Sequence, residues 1–135
     1  MAFDREFVGA TVFCEASNRS GAARRGVAHA IVNRRKLQTW FGKTDAEVVL
    51  RYHQFSEWNG DPADNRNLLR VADASDNDPI LMDSLDAYEE AVAGYPDPTD
   101  GATHFHDDSI APPAWTVGAV KTCQIDSLIF YKGVK

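Results

Sequence analysis

One carboxylate near the amino end is placed where it could act as a catalytic acid. In VFCEASNRSG, residues 12–21, Glu15 follows an apolar run and precedes a polar turn. The apolar positions ahead of it are spaced like the buried face of a helix: Phe7, Val8, Thr11, Val12 and Phe13. A carboxyl group packed against apolar groups has a raised pKa and can hold a proton near neutral pH. The alternative is a solvated surface charge near the negative end of the helix dipole.

A short loop segment, QFSEW (residues 54–58), combines the side chains that bind sugars. The rings of Phe55 and Trp58 can stack on the CH faces of a sugar, while Gln54 and Ser56 match hydroxyl and N-acetyl groups. Glu57 is a candidate second carboxylate. The alternatives are that the two rings cover the core beneath a long loop, and that Glu57 is a solvated surface charge.

The segment HFHDD, residues 104–108, is the best candidate for a metal site. His104 and His106 point to one face of a strand, and either following aspartate could complete a zinc or iron site, with His29 or His53 as a further ligand. The sequence lacks the HExxH and paired CxxC motifs of strong metal sites. We therefore expect polar histidines at a strand end, no metal and no cofactor.

Helical spacing and capping residues predict five helices in the first two thirds of the chain. The first covers Asp4–Ala16, and the second begins after a Ser20 cap and runs to about residue 35. TDAE, residues 44–47, matches a capping box that opens a short third helix. Asp64 is predicted to cap a fourth helix around residues 68–72. The fifth helix is capped by Asp78, ends at Gly94 and has the apolar row Leu81, Leu85, Tyr88 and Val92.

Short extended segments are predicted after the last helix, at residues 102–106 and 127–131, on either side of a proline-bearing loop. The predicted fold class is α+β, mostly helical, with a small C-terminal β element. Residues 1–135 are expected to form a single domain, because 44% hydrophobic and 25% charged residues are typical of a globular protein of this length.

Charge and hydropathy exclude several classes of function. The formal net charge is −6, whereas nucleic-acid binding needs clustered lysine and arginine. No stretch approaches the roughly 18 apolar residues of a membrane span, and the amino end lacks the pattern of a signal peptide. We therefore expect a monomer made in the cytoplasm, with no nucleic-acid partner. Cys14 and Cys123 suit free thiols as well as one bridge.

Six short motifs, read in order, resemble the cell-wall hydrolase family of spore-cortex-lytic enzymes (SleB/CwlJ type). They are CEA (14–16), GVAHAIVNRR (26–35), QFS (54–56), GATHFH (101–106), PPAW (112–115) and FYKG (130–133). The resemblance spans nearly the whole chain and implies a lysozyme-like or lytic-transglycosylase-like domain in which Glu15 is the catalytic acid. It also implies that Gln54, Phe55, Ser56, His104, His106 and Trp115 line a glycan groove. Trp58 and Tyr131 complete the predicted set of substrate-binding residues.

Two positions depart from the family pattern, and two polar residues of the GVAHAIVNRR motif are interpreted as structural. Arg19 stands near the place of a second acidic residue, and Leu128 near that of a histidine before the final FY. Asn33 and Arg34 are interpreted as helix packing and capping groups.

Peptidoglycan is the substrate that the resemblance implies, with cleavage between N-acetylmuramic acid and N-acetylglucosamine. Because only Glu15 has a convincing setting, a lytic transglycosylase is favoured over a muramidase-type hydrolase that uses Glu57 or an aspartate as second carboxylate. A non-catalytic glycan-binding module and a metal-dependent hydrolase are the alternatives of other classes. Delivery to the wall is expected from a phage, as a lysin released by a holin or a virion-carried enzyme, or from spore-coat assembly.

Overall fold

Helices form the first two thirds of the chain and strands the last third. The structure is a computed structural model, and it describes residues 3–51, 54–60, 66–74 and 77–135. The α-helices are α1 (Asp4–Ala16), α2 (Gly21–Leu37), α3 (Asp45–Leu50), α4 (Arg66–Asp73) and α5 (Pro79–Val92). The strands are β1 (His104–Asp107), β2 (Val120–Ile125) and β3 (Leu128–Lys132), and 3₁₀ turns cover Ser56–Trp58 and Ala114–Thr116. The predicted α+β, mostly helical class is confirmed.

Polar caps fix where the helices begin. The predicted caps of α2, α3 and α5 are confirmed, because the side chains of Ser20, Thr44 and Asp78 accept backbone N–H groups two or three residues further on, at 2.9–3.1 Å. Each bond satisfies an N–H that has no partner inside its helix. Gly94 follows α5 with a φ of +89°, as expected of a helix stop. The predicted Asp64 cap lies outside the described residues.

Helix α1 lies in the centre of the core, between α2, α3 and α5. Its boundaries are those that the sequence predicts. Between residues 8 and 16, every residue is buried except Glu15, which is partly accessible. The carboxylate is therefore set in the rim of the core by the helix that carries it. In the described part of the chain, no helix has both the length and the hydropathy needed to cross a membrane.

The buried face of α5 overlaps the predicted apolar row only in part. Tyr88 is buried as predicted, Leu81 and Leu85 are partly buried, and Val92 is 52% exposed. The other buried residues are Ser84, Ala87 and Ala91. Leu85 packs over Gly9 of α1, where an added Cβ would come within 2.3 Å of the leucine Cδ2. The prediction is wrong for Val92, because small side chains that permit close approach share the buried face with the large apolar ones.

Three antiparallel strands form one sheet in the order β1-β3-β2. The predicted extended segments correspond to β1 and β3, whereas β2 has no counterpart among the predictions. Strand β2 is an edge strand whose side chains are exposed or only half-buried, so its sequence has little apolar alternation. On β1, His104 and His106 are both buried and share one face, as the period of two predicts.

Arg19 joins the end of α1 to this sheet. Its guanidinium forms an ion pair with Asp107 at the end of β1 and donates to Ser127 Oγ at 3.0 Å. It also donates to the backbone carbonyl of Glu15 at 3.2 Å. Ser127 in turn donates to Asp107 at 2.8 Å. The last turn of α1 is thereby fixed to the two strands that lie beside it.

Gly26 is a point of close approach between α2 and the sheet. An added Cβ would lie 2.7 Å from Phe130 Cζ and 3.2 Å from Ile125 Cδ1, and Phe130 is fully buried. We expect Gly26→Ala to lower the free energy of unfolding by about 1–3 kcal/mol through overpacking. Urea denaturation of the variant and the wild type measures this difference.

Gly21→Ala, in the first turn of the same helix, is the matched control. Its nearest neighbours are the ends of flexible charged side chains, so its stability should change by less than about 0.5 kcal/mol. Equal losses in the two variants would contradict the close approach at Gly26.

Candidate active site

Glu15 lies in the last turn of α1, with its carboxyl group at the edge of the core. Burial raises the pKa of this carboxyl group above its ordinary value. A hydrogen bond with Glu57 and the positive charges of Arg34 and Arg19 act in the opposite direction. Because burial is the largest of these effects, Glu15 keeps a proton at higher pH than a solvated glutamate, as a general acid requires. The solvated surface charge considered above is not its environment.

A second carboxyl group, that of Glu57, is buried near enough to Glu15 to affect its pKa. Glu57 is 1% exposed and lies in the 3₁₀ turn Ser56–Trp58. This turn is fixed to α1 by Trp58, whose Nε1 donates to Thr11 Oγ1 at 2.8 Å and whose ring meets Phe7 edge-on at 5.4 Å between centroids. The interpretation of Glu57 as a solvated surface charge is therefore wrong.

The thiol of Cys14 is buried beside the two carboxyl groups. Burial raises its pKa to about 12, and the charges of Glu57 and Glu15 act in the same direction. A thiol with so high a pKa stays protonated and is a poor nucleophile. Cys14 and Cys123 form no disulfide.

Arg34 supplies a buried cation to the site. It is 5% exposed, and it donates through Nε to the Thr103 carbonyl and through Nη1 to Gln54 Oε1 at 3.2 Å. Its guanidinium carbon lies 5.5 Å from the ring centroid of Phe41 and 5.0 Å from that of Phe55. Burial lowers the pKa of Arg34 to about 10, and the nearby carboxylate of α1 opposes that shift. The guanidinium therefore remains charged at neutral pH.

Imidazole and aromatic rings form a wall beside Arg34. The Trp115 centroid lies 5.1 Å from that of His104, 5.9 Å from that of His106 and 5.3 Å from that of Tyr131. His106 Nδ1 lies 2.9 Å from the Asp107 carbonyl, and because a carbonyl can only accept, Nδ1 carries a proton. In the neutral ring, Nε2 then accepts from the Tyr131 hydroxyl at 3.1 Å. These contacts fix the orientation of the rings.

A cavity of about 250 Å³ opens beside this wall. Its lining residues are Arg34, Trp40, Gln54, His104, Phe105, Trp115, Val134 and Lys135. Ring faces combined with an amide and cations suit a sugar, which needs both stacking and hydrogen bonding. Glu15 does not line this cavity itself. Arg34 links the two, since it lines the cavity and its charge acts on the Glu15 carboxyl group.

Several of the predicted substrate-binding residues lie together. Gln54, His104 and Trp115 line the cavity, and His106 and Tyr131 adjoin Trp115. The loop predicted to bind sugars and the histidine-bearing strand thus meet at one place, although about 50 residues separate them in the sequence.

The other predicted substrate-binding residues lie elsewhere. Phe55 is 3% exposed and lies beneath Arg34, so it belongs to the core. Ser56 is exposed, and Trp58 is half-buried against α1. For Phe55 and Trp58, the structure matches the alternative in which the rings cover the core beneath a loop.

Arg34 and Trp40 are site residues that sequence reasoning missed. Arg34 was interpreted as a helix packing and capping group, yet it lines the cavity. One available signal is its position three residues after Ile31, which places a charged side chain on the buried face of α2. An arginine on such a face needs partners, and the partners of Arg34 come from other segments of the chain.

The residues considered for a metal site are engaged by protein groups or lie apart. Both ring nitrogens of His106 and the carboxylate of Asp107 have partners. His29 lies beside Asp97, with 3.8 Å between Nδ1 and Oδ1, and His53 lies outside the described residues. Among the residues that the structure describes, no three His, Cys, Asp or Glu side chains are grouped so that they could hold a metal ion.

Comparisons with known proteins give a family and a fold. Residues 18–131 match the model of a family described as cell wall hydrolase. The crystal structure of the catalytic domain of the Bacillus cereus SleB protein is similar to this chain, with 21% sequence identity and a TM-score of 0.74. The alignment covers 98% of this chain and 91% of the SleB chain. The catalytic domain of the germination-specific lytic transglycosylase SleB from Bacillus anthracis is also similar, with 21% sequence identity and a TM-score of 0.73. That alignment covers 98% of this chain and 96% of the other. A comparison with curated proteins finds no match.

These similarities confirm the predicted resemblance and fold. The family match begins at residue 18, after Glu15. The role of Glu15 must therefore be argued from the geometry and electrostatics of the site.

The neutral His104 ring makes stability depend on pH. Burial lowers the pKa of His104 to about 3, with the charge of Arg34 acting in the same direction. The pKa of a histidine side chain in the unfolded chain is about 6.5. Between about pH 6.5 and pH 3 the unfolded state therefore binds more protons than the folded state, and the free energy of unfolding falls as the pH falls. The His104→Phe variant keeps a ring beside Trp115 but cannot titrate. We expect it to reduce the change in the free energy of unfolding with pH by up to about 1.4 kcal/mol per pH unit.

Urea unfolding of the wild type and the variant at about pH 7, 6 and 5 measures the two slopes. Burial also lowers the pKa of His29, so the variant should keep part of the slope. Identical slopes in the two proteins would show that His104 is not held neutral.

Proposed function

The chain belongs to the cell wall hydrolase family, and we propose that it degrades peptidoglycan as a lytic transglycosylase with Glu15 as its catalytic acid. The family supports degradation of the cell wall polymer as the general activity. The description of the Bacillus anthracis neighbour as a lytic transglycosylase supports the reaction type. Within this chain, the observation that carries the proposal is the carboxyl group of Glu15, set in the rim of the core with a raised pKa.

The reaction needs one group that first gives and then takes a proton. Glu15 donates its proton to the glycosidic oxygen between N-acetylmuramic acid and N-acetylglucosamine while the bond from that oxygen to the anomeric carbon breaks. The substrate's own N-acetyl group stabilises the developing cation. The 6-hydroxyl oxygen of the muramic ring then bonds to the anomeric carbon, and its proton goes to Glu15. Glu15 ends protonated, and no water is consumed.

The burial of Glu57 favours this reaction over the muramidase alternative. Carboxyl groups that flank a glycosidic bond act from opposite faces of the sugar, separated by about 5–5.5 Å in retaining enzymes and about 6.5–9.5 Å in inverting ones. Glu57 has 1% of its surface exposed, so its carboxyl group is closed off from the sugar or water on which a second carboxylate must act.

The cavity beside Arg34 is the proposed site for a sugar next to the cleaved bond. Trp115 offers a ring face and Gln54 an amide, and both line the cavity. Arg34 has a second effect, because its positive charge stabilises the Glu15 carboxylate that remains after proton donation. The same charge would attract the lactyl carboxylate of a muramic residue.

The first prediction of this proposal concerns the proton of Glu15. Glu15→Gln keeps the shape and hydrogen bonding of the side chain but cannot donate a proton, so the rate should fall at least about 10²- to 10⁴-fold. Loss of turbidity of purified peptidoglycan measures the rate. Glu6→Gln, an exposed substitution in the same helix, is the control and should retain wild-type activity. A folded Glu15→Gln protein with near wild-type turnover would exclude the mechanism.

The second prediction concerns the product. Attack by the 6-hydroxyl leaves 1,6-anhydromuramyl ends, whereas attack by water leaves reducing ends heavier by one water, and we expect anhydro ends. Mass spectrometry of the soluble digest distinguishes them. Reducing muramic ends alone would favour the muramidase, and binding to sacculi without soluble fragments would favour a glycan-binding module. Loss of lysis in EDTA with recovery on adding zinc would favour the metal-dependent hydrolase.

A further inference from the structure

The cavity beside Arg34 has a positively charged lining in a negatively charged protein. The chain has 20 acidic residues against 14 lysines and arginines, and a formal net charge of −6. The charged residues in the cavity lining are Arg34 and Lys135, and no aspartate or glutamate is among the described residues that line it. His104, which also lines the cavity, is neutral because it is buried. The cavity therefore favours a ligand that carries a negative charge.

Arg34 is held so that part of its guanidinium is left for a ligand. Its Nε donates to the Thr103 carbonyl and its Nη1 to Gln54 Oε1. None of the described residues accepts a hydrogen bond from the third nitrogen, Nη2. The rings of Phe41 and Phe55 cover the group. Water is largely excluded around this charge, so a hydrogen bond from it to an anion is stronger than the same bond at the protein surface.

The other polar side chains of the lining also offer donors. A guanidinium can only donate, so the amide oxygen of Gln54 faces Arg34 and the amide NH₂ group is left for a ligand. The indole groups of Trp40 and Trp115 and the ammonium group of Lys135 have donors only. A ligand that fills the cavity must therefore supply acceptors. A carboxylate suits this need, because it has two acceptor oxygens and no donor.

One of the two sugars of peptidoglycan carries a carboxyl group of its own. It is the muramic residue, on its lactyl substituent. This group is an ionised carboxylate when the substituent ends there, and a neutral amide when a stem peptide is attached. The cavity volume of about 250 Å³ is below the roughly 300–1,000 Å³ of sites that hold a drug-sized molecule. Such a volume suits a sugar with a short substituent better than a sugar that carries a peptide.

We propose that the cavity selects a muramic residue with a free lactyl carboxylate, which Arg34 binds, so that the enzyme acts on glycan strands without stem peptides. This inference rests on the proposed lytic function, whose substrate it specifies. Such strands are the product of an amidase reaction. In that reaction water cleaves the amide bond between the lactyl carboxyl group and the first amino acid, and leaves a carboxylate and an amine. A reaction of this class must therefore come before the lytic one.

The test compares the binding of two forms of the same soluble, peptide-free glycan strands. One form keeps its lactyl carboxylates, and in the other they are converted to neutral methylamides. The Glu15→Gln variant allows calorimetry without cleavage of the strands. We expect the methylamide strands to bind at least about 10-fold more weakly, because a hydrogen bond between charged groups is lost. Strands that keep their stem peptides should also bind more weakly, and equal affinities for the three kinds of strand would overturn the proposal.

A second substitution tests whether Arg34 is the residue that binds the carboxylate. Arg34→Gln, added to the Glu15→Gln variant, should make the affinities for carboxylate and methylamide strands equal. The matched control is Lys36→Gln, which removes the same charge from an exposed site on the same helix and should keep the preference. A folded Arg34→Gln protein that keeps the preference would overturn the assignment to Arg34. The comparison of strands does not depend on the folding of this variant.

Two outcomes distinguish this inference from the proposed function. If the wild type forms anhydro ends from carboxylate and methylamide strands with equal kcat/KM, the selection of a free carboxylate is wrong and the lytic function stands. If the wild type forms no anhydro ends from either kind of strand, the lytic function fails. The binding comparison then still decides whether the cavity prefers a carboxylate.

Discussion

The buried guanidinium of Arg34 is the constraint on which the site depends. It joins α2 to the segment that enters β1 through the Thr103 carbonyl, and to the loop before the 3₁₀ turn through Gln54. A charged group at this depth is stable only when acceptors and an opposite charge surround it. The rings of Phe41 and Phe55 cover it, and Glu15 supplies an opposite charge whenever its carboxyl group is ionised. The position of the cavity wall relative to α1 follows from this one side chain.

The pKa of Glu15, the proposed acid, comes from a balance of opposed effects. Burial favours the protonated form, whereas full exposure would leave the carboxyl group ionised at neutral pH. Arg34 and Arg19 lower its pKa against the effect of burial. Arg19 also fixes the backbone of the same residue to the sheet. Arg19 thus acts on both the position and the pKa of the proposed acid.

Local features of the fold could be predicted from the sequence, and features that depend on distant partners could not. The caps at Ser20, Thr44 and Asp78 were predicted because a cap involves residues only two or three positions apart. The buried face of α5 and strand β2 were missed, since close helix packing and edge pairing leave little trace in apolar periodicity.

The same limit applies to the candidate site. Glu15 stood out because its apolar neighbours are adjacent in sequence, and the partly accessible, desolvated setting followed from them. The effect of Glu57 on its pKa depends on how a loop more than 40 residues away docks on α1. Arg34 gave a weak signal, a charge on an otherwise apolar helix face, but its acceptors could not be identified without the tertiary structure.

The 3₁₀ turn around Glu57 constrains the length of its segment more tightly than the identity of its residues. Phe55 is buried beneath Arg34, and Trp58 is bonded to α1. Side chains in a 3₁₀ helix follow one another at about three per turn, so a single inserted or deleted residue would rotate each later side chain by about a third of a turn. Such a change would exchange the places of carboxyl group and indole while leaving the helical core intact. We expect this segment to diverge in evolution by substitution and not by insertion or deletion.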